Sequence, residues 1–209
     1  MNAQLIENYR ILKEKTQFIK ENRIEQLNNL SELIVNDLIN HNNSKIICIC
    51  THNSRRSHLA QVMLSFIANQ MNLNIEVFSG GIEVTEVHPN AIQAFRNFGF
   101  EILQNAEATN PKYTVVWGNQ MEEKQGHLYS KLYDDPFNPS KDFIAMMVCS
   151  DVEKNCPMVQ GTKKVISMNY TDPKHSDGTE EASRVYLDKL FEIGAEMFYV
   201  LQKVKSKLQ

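Results

Sequence analysis

The chain of 209 residues has little of what marks the specialised protein classes. It holds only 8 Gly and 6 Pro, and 42% of its residues are hydrophobic, which excludes fibrous and disordered chains and leaves a globular one with material for a sizeable core. Basic charge is not in excess. The 22 Lys+Arg against 25 Asp+Glu give a formal net charge of −3, which argues against a binder of nucleic-acid phosphates, whose surface must be basic. No window of the sequence approaches the ~18 consecutive apolar residues that cross a bilayer. The first residues, MNAQLIENYRILKEKTQFIKEN, carry charges every few positions and nothing of signal-peptide character, so a cytoplasmic protein is expected. Cysteine is sparse as well: Cys48, Cys50, Cys149 and Cys156 are better read as free or redox-active thiols than as a permanent disulfide framework.

What the chain does contain is a regular alternation of patterns. Between residues 4 and 40, apolar side chains at Leu5, Tyr9, Leu12 and Ile19, then at Leu27, Leu30, Ile34 and Leu38, recur at helical spacing. Two amphipathic helices with a break near Asn22, or one bent helix, are expected there, followed by the polar linker His41-Asn42-Asn43-Ser44. Their apolar face either packs on the domain behind or pairs with a second copy in a homodimer. From Lys45 the chain reads strand, loop, helix: the run KIICIC, a polar turn, then Leu59, Met63, Phe66 and Ile67 at helical spacing. IEVFSGG is a second strand, followed by a helix with Pro89 in its first turn and Gly99 just past its end. FIAMMVCSD is a third strand, KKVISMNY a weaker fourth, and Leu187, Leu190, Met197, Leu201, Val204 and Leu208 mark a last helix. The fold class expected is α/β, with a central four-stranded parallel sheet flanked by helices. It carries a helical N-terminal extension over 1–44 and a main domain over 45–209. YTVVWG and YSKLYDD break the alternation and read as a hairpin inserted at about 109–140.

The loop after the first strand carries the strongest chemical signal: Cys50-Thr51-His52-Asn53-Ser54-Arg55-Arg56-Ser57, with Arg-Ser after five residues beyond the Cys. A turn from a strand end into a helix N-terminus points successive backbone N–H groups into one concavity, which suits a tetrahedral oxyanion. Arg56 can grip two of its oxygens bidentately, and Asn53 suits the left-handed bend the turn needs. Unpaired amides, the helix N-terminus and the charges of Arg55, Arg56, His52 and His58 all favour a Cys50 thiolate, the nucleophilic form. Cys48, two residues earlier on the same strand face, reads as a plain core cysteine. A zinc site from the four cysteines has little support, because neither Cys-x-Cys nor Cys-x6-Cys is usual zinc spacing. No metal and no cofactor are called for.

On these residues the chain resembles the low-molecular-weight protein tyrosine phosphatase superfamily, whose members carry a Cys-x5-Arg-Ser phosphate loop after the first strand. Within it, the chain is most similar to the thioredoxin-coupled arsenate reductases. The supporting motifs are CTxNSxRS at the loop, FSGGIE followed by VHPNAI, CSDVEKNCP after the third strand and TDP before the last helix. The first 44 residues lie outside the resemblance. Two positions of the loop depart from the family, which usually has Gly where His52 stands and a second Cys where Arg55 stands. Gln61 stands where the reductases often have a potassium-binding Glu, so no potassium site is carried over.

The resemblance implies a sequence of thiol steps. Cys50 attacks arsenate, Cys149 attacks the Cys50 sulfur to release arsenite, and Cys156 attacks Cys149, leaving a disulfide for thioredoxin to reduce. In a continuous helix, Cys149 and Cys156 would stand ~10 Å apart against the ~4.4–6.8 Å a disulfide requires, so CSDVEKNCP must be irregular or rearrange. A carboxylic acid should face the loop to protonate a leaving oxygen. Asp172 matches the position of the family's general acid, and Pro173 restricts its backbone to an extended form. Asp135 in Asp-Asp-Pro competes, but it precedes the third strand, within the insertion.

Three functions remain open at this point. The first is an arsenate reductase using Cys50, Arg56, Cys149, Cys156 and Asp172, with Thr51 to Ser57 binding the oxyanion. The second is a tyrosine phosphatase that hydrolyses phosphate monoesters through a Cys50 thiophosphate intermediate, with Cys149 and Cys156 dispensable. The third is a non-catalytic oxyanion-binding or redox-sensing protein, with His52 and Arg55 compromising turnover.

Overall fold

The computed structural model describes residues 1–105, 109–117, 127–150 and 159–209. Its centre is a four-stranded, all-parallel sheet in the order β2-β1-β6-β7, formed by β1 (Ser44–Cys50), β2 (Ile75–Gly81), β6 (Phe143–Met147) and β7 (Thr162–Ser167). The near-continuous apolar runs of β1 and β6 follow from burial on both faces: Ile46, Ile47, Cys48, Ile49 and Phe143 to Met147 are all at most 1% exposed. Helices α3 (Arg56–Gln70), α4 (Pro89–Phe98) and α5 (Ala182–Leu208) flank the sheet. The expected punctuation of α4 is present: Pro89 opens it, and Gly99 closes it in a left-handed conformation with φ 106°.

The N-terminal segment forms α1 (Ala3–Lys15), a 3-10 turn (Thr16–Phe18) and α2 (Glu21–His41), so the break falls at Ile19–Lys20, just before Asn22. Both helices pack against α5. The face carrying Leu5, Leu12, Leu27, Leu30 and Ile34 is buried within the chain, which is the first of the two arrangements its pattern allowed.

A second, smaller sheet is antiparallel, in the order β3-β4-β5, from β3 (Glu101–Gln104), β4 (Tyr113–Val116) and β5 (His127–Leu128). The expected hairpin is present in β4 and β5, with two differences. Its second limb falls at His127–Leu128 rather than in YSKLYDD, and β3 adds a strand outside the anticipated 109–140 insertion. β3 is four residues long and largely exposed, so it lacks the apolar alternation by which a strand announces itself. Phe66, Phe100 and Trp117 join the two layers edge to face, with ring centroids 5.1 Å (Phe66–Phe100) and 6.1 Å (Phe66–Trp117) apart. Among the described residues no helix is long and apolar enough to cross a membrane.

Candidate active site

The parallel strands end together, and the loop after β1 opens at their C-terminal edge, where open α/β sheets place ligands. Its shape follows from four successive carbonyls that are all turned outward and taken by neighbours. Thr51 O accepts from the amides of Ile82 and Glu83, both at 2.9 Å, and His52 O from the Ser130 hydroxyl at 2.8 Å. Asn53 O accepts from His58 Nε2 at 2.8 Å, and Ser54 O from the His88 amide at 2.9 Å. In a trans peptide the following N–H points opposite to the carbonyl, so the amides of His52, Asn53, Ser54 and Arg55 face the inside of the turn. That is the geometry of an anion cradle. Asn53 takes the left-handed bend, with φ 44°. Its side chain ties the loop on both sides: Nδ2 donates to Ser57 Oγ at 2.8 Å, and Oδ1 accepts from the Lys131 amide at 3.0 Å. Gly81 has to be glycine, because a Cβ there would stand 2.7 Å from Thr51 O and 2.8 Å from Asn53 N.

Cys50 lies at the floor of the cradle, 4% exposed, with its sulfur 3.0 Å from Ser57 Oγ. Arg56 is buried, and its Nη1 donates to Tyr170 O at 3.0 Å while Nη2 pairs with Asp172 Oδ2 at 2.5 Å. The other carboxylate oxygen of Asp172 accepts from the Lys174 amide at 3.0 Å, so Asp172 caps the 3-10 turn Pro173–Ser176 while facing the arginine. Cys149 stands two residues past the end of β6 and is fully buried; its sulfur is 3.6 Å from Oγ1 of Thr51, the residue after Cys50. The structure therefore gathers Cys50, Arg56, Ser57, Cys149 and Asp172 at one edge of the sheet. Cys156 lies outside the described residues.

Three charges expected to act on Cys50 are disposed differently. His58 carries no positive charge: burial, reinforced by the Lys131 ammonium, pushes it down to about 3. As a neutral ring it donates from Nε2 to Asn53 O and accepts at Nδ1 from the Ser79 hydroxyl at 3.2 Å, so it is a strut of the loop. The Arg55 guanidinium is directed away from the cradle, with Nε donating to Tyr186 Oη and Nη2 to Asp177 Oδ2, both at 2.7 Å. His52 is half-exposed at the rim, 3.1 Å from the Glu83 carboxylate. Of the competing core and acid residues, Cys48 is fully buried mid-strand, and its thiol is pushed well up by burial and by Cys50. Asp135 is spent on a turn, accepting from Tyr129 Oη at 3.0 Å and from the Phe137 amide at 2.9 Å. Sequence reasoning missed Asp177, Tyr186 and Lys131, which the fold brings to the loop from distant segments and which no local motif marks.

No family model matches the chain. Relatives are nonetheless recognisable by sequence. An arsenate reductase 2 from Staphylococcus epidermidis is 29% identical over 128 residues, 61% of this chain and 77% of that relative. An arsenate reductase from Oceanobacillus iheyensis is 26% identical over 163 residues, 78% of this chain and 88% of that relative. Among solved structures, a low molecular weight protein tyrosine phosphatase from Bacillus subtilis matches with a TM-score of 0.53 at 17% identity, over 79% of this chain and 99% of that one. This last likeness is one of fold.

Proposed function

The chain has the fold of the low-molecular-weight protein tyrosine phosphatases and is similar in sequence to arsenate reductases, and from that premise we propose that it reduces arsenate to arsenite. The cradle amides and Arg56 hold arsenate over Cys50, whose thiolate forms an S–As bond as Asp172 protonates the departing oxygen to water. Cys149 then attacks the Cys50 sulfur. The S–As bond breaks with its electron pair on arsenic, which leaves as arsenite, and a Cys50–Cys149 disulfide remains. Cys156 attacks Cys149 and frees the Cys50 thiolate, so two electrons from two thiols balance the reduction. The resulting Cys149–Cys156 disulfide requires an external dithiol, and thioredoxin fits that role in a cytoplasmic protein.

The observation that carries this reading is the position of Cys149, a buried thiol whose sulfur lies 3.6 Å from the residue next to the nucleophile, where ester hydrolysis alone needs none. Phosphate-monoester hydrolysis is the second reading, favoured by the Asp172 carboxyl, which its pair with Arg56 keeps at the cradle for acid–base work on an ester oxygen. The division into a helical extension over 1–44 and a catalytic unit over 45–209 belongs to the same proposal. A homodimer through the N-terminal helices would use the outer surface of that segment, where Ile6, Phe18 and Ile39 are exposed.

The test is a thiol count with peptide mapping on fully reduced protein, before and after arsenate, with no reductant added. Loss of two thiols, with Cys149 joined to Cys156, is the expected result. Survival of all thiols would leave the phosphatase reading and, if aryl phosphate is not hydrolysed either, the non-catalytic oxyanion-binding one. Cys156→Ser separates the two further, since it stops arsenate turnover and leaves hydrolysis of an aryl phosphate nearly intact.

A further inference from the structure

The adjacent arginines of the loop hold the two ends of one segment. Arg56 pairs with Asp172 at 2.5 Å and Arg55 with Asp177 at 2.7 Å, and the 3-10 turn Pro173–Ser176 runs between them. The two pairs differ in what substrate does to them. Arg56 has Nη1 on Tyr170 O and Nη2 on Asp172, and an oxyanion seated over Cys50 competes with Asp172 for the same guanidinium charge. Asp172 then shares its counter-charge with the oxyanion at the stage when its carboxyl must stay over the cradle.

The second pair has no such conflict. Asp177 is gripped from three elements at once. Oδ2 takes Arg55, and Oδ1 accepts from Tyr186 Oη of α5 at 2.7 Å and from Asn90 Nδ2 of α4 at 3.0 Å. Tyr186 is fully buried, receives the Arg55 Nε–H at 2.7 Å and stacks on His88, with centroids 5.7 Å apart at 17°. The His88 amide in turn holds Ser54 O of the loop at 2.9 Å. Burial works to raise Asp177, yet the hydrogen bonds from Tyr186, Arg55 and Asn90 outweigh it and hold the carboxyl below its ordinary range.

We propose that Arg55, Asp177 and Tyr186 form a fixed latch that keeps the 172–177 segment, and with it the Asp172 carboxyl, against the cradle while Arg56 transfers from Asp172 to the bound oxyanion. The inference rests on the reading of the cradle and of Asp172 given above, and it makes all three positioning residues. It also gives Arg55 a purpose at a position where the resembling family usually has cysteine.

The latch predicts a conditional defect, which a merely structural role would not produce. Amide hydrogen exchange is measured on the full chain with and without saturating inorganic phosphate, in the unmodified protein, Asp177→Asn and Tyr186→Phe. In the unmodified protein, phosphate slows exchange at 51–57 and leaves 172–179 protected. In Asp177→Asn without phosphate, Arg56 still holds Asp172 and the segment stays protected. With phosphate, the Lys174 and Asp177 amides, now bonded to Asp172 Oδ1 and Lys174 O at 3.0 Å each, exchange faster by about tenfold or more. Tyr186→Phe, which removes a single hydroxyl, shows the same phosphate-dependent rise at smaller size and stands in if Asp177→Asn does not fold. Protection unchanged by phosphate in both variants, with 51–57 still responding, overturns the latch alone. Fast exchange at 172–179 before phosphate is added overturns it too, since the contact would then be plain structure. No response at 51–57 in the unmodified protein removes the cradle reading and the latch with it.

Discussion

The cradle and the N-terminal helices belong to one chain, and opposite forces hold them. The loop from Cys50 to Ser57 is fixed almost wholly by hydrogen bonds: outward carbonyls, the two-sided Asn53 amide and the neutral His58 ring. The helical platform is fixed by apolar contact. Leu5, Leu12, Leu27, Leu30 and Ile34 are at most 1% exposed, and Tyr9 meets Phe66 and Phe198 edge to face with centroids 5.5 Å apart. Directional bonds place atoms for chemistry, whereas burial supplies stability without fixing a reacting geometry. The two regions should therefore separate by experiment, one governing turnover and the other stability.

The sharpest way to separate them is Cys50→Ser. It should lower arsenate or aryl-phosphate turnover by about 10⁴-fold or more, as loss of a nucleophile does, while the unfolding midpoint in urea stays close to that of the unmodified protein. A matching loss of stability would mean that Cys50 belongs to the core and not to the cradle. The opposite case is Leu12→Ala. Leu12 reaches so close to α5 that a Cβ on Gly194 would stand 2.7 Å from its Cδ2, so the cavity has little room to collapse. A cost of about 2–5 kcal/mol in urea unfolding is expected, with kcat unchanged for the protein that remains folded. A fall in kcat at full folding would show that the platform reaches into the chemistry.

How legible each region was in the sequence follows from the same distinction. The sheet, α4 and the buried face of α1 and α2 could be read because burial writes a periodic pattern, and Pro89 and Gly99 punctuate it. The Cys-x5-Arg-Ser loop could be read because its spacing is local. β3 could not, being four residues long and mostly exposed. The partner of Arg55 could not either, since Asp177 lies 122 residues away and only the fold brings them together. His58 was legible as a residue but not as a charge: its sequence neighbours suggest a cation, and only its complete burial under β2, beside the Lys131 ammonium, makes it neutral.

That burial gives the cradle a pH dependence. His58 falls from 6.5 to about 3 in the folded chain, through burial first and the Lys131 charge second. Between those values the unfolded chain binds a proton that the folded one refuses. The neutral strut therefore contributes fully above pH 6.5, and its contribution is lost as the pH falls toward 3, at up to about 1.4 kcal/mol per pH unit within the window. Urea unfolding at pH 7 and pH 5 in the unmodified protein and in His58→Gln checks this. The unmodified protein should lose more stability between the two pH values than the variant, and equal losses would mean that His58 is not the group refusing the proton.

The smallest effect expected lies where the two regions meet. Arg23 of α2 pairs with Glu196 of α5 through Nε at 2.9 Å and Nη2 at 3.0 Å, and its guanidinium lies 4.9 Å over the Tyr170 ring. Tyr170 Oη donates to the same carboxylate at 2.7 Å, while its backbone carbonyl holds Arg56. The side chain of Tyr170 thus belongs to the platform and its carbonyl to the cradle. Tyr170→Phe deletes the hydroxyl but leaves the ring, the carbonyl and the Arg23–Glu196 pair. It should cost about 1–2 kcal/mol in urea unfolding, because Glu196 keeps its charged partner, and should change kcat by no more than about twofold. A larger fall in kcat, with KM for the oxyanion unchanged, would show that the helices set the Tyr170 carbonyl and so tune how readily Arg56 is released to substrate. The separation of stability from chemistry would then fail at this one residue, and the N-terminal helices would count as part of the site's support.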